Sequence, residues 1–158
     1  MLECGLLIYC FHRKLNFRQL EGKKDMAECK QIVLVVDDQP GIRRLLSEVL
    51  TDHGYSVATA TNGYDGIKKA EELNPGVILI DMKMPGMDGI EALRELKTLG
   101  MSNRAVVMTA YGELDLVNEA KNIGAYAYIT KPFDIVALCK MVQEILAGSD
   151  TSSKQMIG

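Results

Sequence analysis

Little net charge is left in this 158-residue chain, where 18 lysines and arginines against 21 aspartates and glutamates give −3 at neutral pH. That balance offers no electrostatic footprint for nucleic acid or an anionic lipid surface, so polyanion binding is not the main task. Cysteine is sparse and unpatterned. Cys4, Cys10, Cys29 and Cys139 form neither a CxxC pair nor a metal-ligand spacing, which argues against disulfides and structural zinc and for free thiols in a reducing compartment. The two histidines, His12 and His53, are isolated, with no partner cluster that would make either a ligand or a catalyst. Long apolar runs are absent too: the longest near the N-terminus covers residues 5–11, far short of the roughly 20 needed to cross a bilayer. Basic residues (Arg13, Lys14, Arg18) follow that run instead of preceding it, the reverse of a secretory signal, so cytoplasmic residence is the expectation.

What the chain does have is the composition of a globular domain, 47% hydrophobic and 25% charged, with length enough for one ordinary core. Residues 1–25 do not share the pattern that follows; they read as an extension produced by start-site choice at Met26, the alternative being a docking or targeting segment. Residues 30–148 carry the domain, and 149–158 form a solvated tail. Within the domain, apolar runs rich in β-branched residues at 32–36, 77–80 and 105–108 suit strands buried on both faces, and 57–60 and 126–129 complete a set of five. Between them apolar residues fall at helical spacing: Ile42, Leu45, Leu46, Val49 and Leu50; Ile67, Ala70 and Leu73; Ile90 and Leu93; Leu114 and Val117; Ile135, Leu138, Met141, Val142 and Ile145. Pro40 suits a first helical turn, and Asn74-Pro75-Gly76 and Gly124 supply breaks. Strand and helix alternating five times call for an α/β fold, a parallel sheet with helices on both faces.

In such a sheet, ligands bind beyond the carboxyl ends of the strands. Asp37 and Asp38 follow the first strand, Asp81 the third, Thr109 the fourth, and Lys131 lies past the fifth. Each alone has an ordinary reading, as a helix cap, a turn residue, a β-former or an exposed lysine. Together they do not: two carboxylates about 4 Å apart repel by roughly 4 kcal/mol at an effective dielectric near 20, so three on one site need a cation. A hard ion fits, and Mg²⁺ in particular takes one or two carboxylates and keeps positions for phosphate oxygens. With Lys131 and Thr109 beside them, the carboxylates suggest phosphoryl transfer through an aspartyl phosphate.

From about Lys30 to Ala147 these landmarks, in this order, resemble the receiver domains of bacterial response regulators. The resemblance implies a flavodoxin-like, doubly wound (βα)5 sheet of strand order 2-1-3-4-5. It implies Asp81 as phosphoacceptor, with Mg²⁺ held by Asp37, Asp38, Asp81 and the backbone carbonyl of Lys83. Lys131 would contact the phosphoryl group, its bond to Pro132 would be cis, and Thr109 with Tyr128 would form a switch pair that remodels the fourth helix and fifth strand. Asp37-Asp38-Gln39, Gly41-Ile42-Arg43, Asp81-Met82-Lys83, the run 108–115 and 131–135 are similar to stand-alone receivers of sporulation-type phosphorelays, although Tyr128 stands where those carry histidine and chemotaxis-type receivers carry an aromatic residue. The implied partners are a histidine kinase, a histidine phosphotransferase or both, meeting the first helix near Gln39, Ile42 and Leu45, with the receiver a monomer.

Lys83 and Tyr111, two positions after Asp81 and Thr109, should flank the face from which water attacks an acyl phosphate, Lys83 shielding it; the plainer alternative is a solvated surface group. The nine methionines mostly sit at apolar-pattern positions and read as core gap-fillers, while Met84 and Met87, in the loop after Asp81, are candidates for partner contacts instead. Three rivals fit less well. A receiver-like module that is never phosphorylated would have lost an acidic residue, the threonine or the lysine. A nucleotide or flavin carrier would place a Ser/Thr/Gly-rich loop where Asp37-Asp38-Gln39-Pro40 repels anions. A phosphohydrolase with an aspartyl intermediate would carry an acid at the position of Lys83.

Overall fold

The computed structural model describes residues 31–148; the extension 1–25 and the tail 149–158 lie outside them. Five strands, β1 (Ile32–Val36), β2 (Ser56–Ala60), β3 (Val77–Asp81), β4 (Ala105–Ala110) and β5 (Ala127–Lys131), alternate with five helices. The helices are α1 (Pro40–Asp52), α2 (Gly63–Leu73), α3 (Gly89–Thr98), α4 (Leu114–Ile123) and α5 (Ile135–Leu146). All strand pairs are parallel, in the order β2-β1-β3-β4-β5.

Position in the sheet explains strand composition. The central strand β3 (VILID) is buried along its whole length, whereas the edge strands β2 (SVATA) and β5 (AYITK) are mostly half-buried and accordingly more polar. Successive side chains point to opposite faces. Val33, Val35, Val77, Leu79, Val106 and Met108 therefore pack on one face against Leu46 and Leu50 of α1 and Leu138, Met141 and Val142 of α5. Leu34, Val36, Ile78, Ile80 and Val107 pack on the other against Ala70 of α2, Leu93 and Leu96 of α3, and Ala120 and Ile123 of α4.

Local chemistry sets the helix ends. Pro40 occupies the first turn of α1, Asn62 caps α2 by accepting the Asp65 amide, and Asp88 with Glu91 forms a capping box on α3. Asn74 closes α2 and Gly124 closes α4 in left-handed conformations, φ 45° and 116°. Two strands outrun the apolar pattern: Thr109 pairs with Thr130 and Ala110 with Lys131, so β4 and β5 carry polar residues to the sheet's carboxyl edge. The strand expected at 126–129 is thus Ala127–Lys131, and Lys131 ends the strand instead of following it. His53 closes α1, its ring Nδ1 lying 2.8 Å from the Val49 carbonyl. Cys139 is a buried free thiol; the other three cysteines lie outside the described residues.

Met84 and Met87 are not the surface contacts expected. The loop after β3 folds back, burying Met84 in the core beside Met82 and Ile90, and Met87 packs under α2 where a Cβ on Gly63 would lie 2.7 Å from its Cγ. The same loop brings Gly89 onto β3, where a Cβ would sit 2.5 Å from the Asp81 carbonyl oxygen and 2.6 Å from the Met82 Cα. Gly89→Ala must push backbone aside, and is expected to lower unfolding free energy in urea by about 1–3 kcal/mol. Gly41→Ala, which meets nothing within 4 Å in α1, should raise it by roughly 0.5–1 kcal/mol.

Candidate functional site

Strand order reverses at β1 and β3, which leaves a crevice at their carboxyl ends. Asp37 follows β1 there, fully buried, with Oδ1 accepting the Gln39 amide at 2.8 Å and Oδ2 accepting Lys131 Nζ at 2.7 Å. Asp81 ends β3, 5% exposed, and its Oδ1 takes the same ammonium at 2.8 Å. Asp38 stands beside them, its Oδ1 buried without a hydrogen-bond partner among the described residues. Oxygens of the three carboxylates lie within 4.8 Å of one another. The bond from Lys131 to Pro132 is cis.

Burial pushes the Asp81 carboxyl above its ordinary value and the charges of Asp37 and Asp38 push the same way, against the Lys131 ammonium. For Lys131 burial opposes the charge, but the hydrogen bonds to Asp37 and Asp81 prevail and hold it above the usual lysine range. One ammonium thus bridges Asp37 and Asp81, and an oxygen of Asp38 beside them is left without a donor. An oxygen-rich, over-negative cluster with a free carboxylate lone pair fits a hard divalent cation.

Two residues to which sequence reasoning assigned no role hold this arrangement together. Arg43, in the first turn of α1, donates from Nη1 to the backbone carbonyls of both Asp37 and Asp38 at 2.8 Å, pinning the acidic loop from below. Glu113, just before α4, accepts the Thr109 hydroxyl at 2.5 Å and the Ala110 amide at 2.9 Å on Oε2, while Oε1 pairs with Lys83. Lys83, followed by Thr109 and the Ala110 amide, holds the Glu113 carboxyl down at about 2. An arginine five residues beyond an acidic pair on a helix start, and a glutamate four beyond Thr109, were visible as positions; their partners depend on loop paths that the apolar pattern does not encode.

A sequence model described as the response regulator receiver domain matches residues 33–143. The chain belongs to that family. Sporulation initiation phosphotransferase F of Bacillus subtilis is 45% identical over 114 residues, 72% of this chain and 92% of that protein. Chemotaxis protein CheY of Treponema pallidum is 38% identical over 117 residues, covering 72% and 81%. Among solved structures, chemotaxis protein CheY4 of Vibrio cholerae superposes with a TM-score of 0.68 at 32% identity, covering 74% of this chain and 99% of that one. The chain is thus a two-component receiver domain with the expected five-stranded fold.

The remaining predicted positions of the receiver fall in two groups. Thr109 is buried at the end of β4, and Tyr128, opposite Val107 on β5, lies on the same face of the sheet with the Lys121 ammonium 4.8 Å above its ring. Lys83 and Tyr111 are both exposed. Gln39, just before α1, and Leu45 on it face solvent, but Ile42 packs partly into the α1/α5 core, which limits what it can offer a partner. No helix among the described residues is long and apolar enough to cross a membrane.

A carboxyl depressed on folding contributes stability that is present above its unfolded value, 4.5 for Glu113, and is lost as pH falls toward about 2. Glu113→Gln is therefore expected to unfold at lower urea concentration than wild type at neutral pH. The two midpoints should converge as pH drops below 4.5; a gap that stays constant would contradict the assigned contacts.

Proposed function

We propose that this receiver takes a phosphoryl group from the phosphohistidine of a kinase onto Asp81 and passes it on to a phosphotransferase histidine. The observation that carries this reading is the Lys131 ammonium shared between Asp81 and Asp37 beside an Asp38 oxygen with no donor, an arrangement suited to a dianionic group and a divalent cation. In the reaction the Asp81 carboxylate forms an O–P bond as the donor's N–P bond breaks and its imidazole leaves. Asp37, Asp38, Asp81 and the Lys83 carbonyl would hold Mg²⁺, which when bound neutralises charge on the phosphoryl oxygens. Lys131 supports a further oxygen, and Thr109 supplies a hydrogen bond once the group has arrived. Thr109 then moves toward the phosphoryl group, Tyr128 turns inward, and the α4–β5 surface changes.

The relay reading draws support from the relative named a sporulation phosphotransferase and from Lys83, an exposed ammonium at the face open to water. A second reading, regulation by phosphorylation-dependent docking as a stand-alone chemotaxis-type receiver, is favoured by the aromatic Tyr128 and the likeness to CheY proteins. In either, the donor's helical bundle would meet α1 at Gln39 and Leu45, with Ile42 contributing its exposed edge.

With Mg²⁺ and acetyl phosphate the wild-type protein should gain one acid-stable, base-labile phosphoryl group, detected by intact mass, and Asp81→Ala should gain none. Equal labelling of the two would end the proposal. Lys83→Asn is expected to shed phosphate several-fold faster than wild type, followed as released phosphate; an unchanged or slower rate would leave Lys83 an ordinary surface group. Transfer of label to an added phosphotransferase histidine, compared with retention on Asp81, separates relay from docking.

A further inference from the structure

The Thr109 hydroxyl has one proton to donate, and Glu113 has it. The bond is charge-assisted and lies in a site where Thr109 is 2% exposed and the Glu113 side chain only 11% exposed, so water competes weakly. The second Glu113 oxygen pairs with Lys83, whose ammonium also feels the charge of Asp81 across the site. Two of the three donors that hold Glu113, the Thr109 hydroxyl and the Lys83 ammonium, are thus groups a phosphoryl oxygen on Asp81 would attract. Glu113 itself sits at the N-cap position of α4, where no side chain caps the helix, and directly follows Gly112, whose φ is 89°.

We propose that Glu113 is an internal competitor for the phosphoryl group: it holds the unphosphorylated receiver by keeping the Thr109 hydroxyl and the Lys83 ammonium for itself. The inference rests on Asp81 being the acceptor. When a phosphoryl group arrives, the Thr109 proton and Lys83 turn to it, and Glu113 keeps only the Ala110 amide. A nearly buried carboxylate so stripped is costly to retain in place and swings toward solvent. Because the residue heads α4, its departure carries the start of that helix with it, coupling the charge at Asp81 to the surface bearing the exposed Tyr111 and Leu114. Glu113 acts through Thr109 and Lys83 and is a positioning residue, not a catalytic one.

Beryllofluoride with Mg²⁺, a mimic of the aspartyl phosphate, provides the test when titrated into the full chain and followed by calorimetry. Glu113→Gln and Glu113→Ala should each bind it more tightly than wild type, by at least about tenfold, the size of one charge-assisted hydrogen bond no longer to be broken. In a Thr109→Val background, where the contested proton is gone, the gain from Glu113→Gln should shrink. Urea unfolding of every variant confirms that each is folded. Unchanged or weaker binding in both Glu113 variants would overturn the proposal, as would an equal gain with and without the threonine hydroxyl, since Glu113 would then act by another route. Wild type that accepts neither acetyl phosphate nor beryllofluoride would instead remove the Asp81 reading and this inference with it.

Discussion

Lys131 places one ammonium between two buried carboxylates, Asp37 Oδ2 at 2.7 Å and Asp81 Oδ1 at 2.8 Å, and the rest of the site is arranged around that shared charge. Removing one partner from a buried ion pair typically costs about 3–5 kcal/mol, because the group left behind keeps its desolvation penalty. The bridge therefore constrains the fold as well as the chemistry. Lys131 arrives on an edge strand and Asp37 on β1, with β3 and β4 between them. Only with all four strands in register do the three side chains meet. The fully apolar interior of β1, β3 and β4 beneath the crevice keeps water out and makes those charges count.

Much of this was legible in the chain itself, and the reason is periodicity. Central strands such as 77–81 are continuous apolar runs because both faces are covered, and helices such as Pro40–Asp52 show one apolar stripe; these patterns survive without coordinates. The acidic residues and Lys131 could be placed because strand ends in a parallel sheet share one edge. What the pattern could not carry was whatever depends on the path of a loop. Met84 looked like an exposed loop residue until the chain after Asp81 folded back over it, and Ile42 looked available on α1 while leaning into the neighbouring helix. The polar last residues of β4 and β5 were missed as strand because their pairing is backbone to backbone, with no apolar signal to mark it. Arg43 and Glu113 were hidden for a related reason: a side chain that serves a backbone carbonyl or a neighbour's hydroxyl leaves no trace in spacing.

The two loops that border the crevice differ in how they are held. The one after β3 is fastened on both sides of its exposed Pro85-Gly86 turn, by buried Met82 and Met84 before it and by the Asp88–Glu91 capping box and the backbone contact at Gly89 after it. The one after β4 has Gly112 in open space, an exposed Tyr111 and a helix start without a side-chain cap; Glu113 is its main tie to the site. Local stability follows such contacts.

The consequence of Gly89 is mechanical. With no side chain between them, the start of α3 lies directly on the backbone of Asp81, whereas the start of α4 reaches the crevice through the Glu113 side chain. The absence of one methyl group thereby makes the two walls of the crevice unequal: one rests backbone against backbone, while the other is tied in through a single carboxylate.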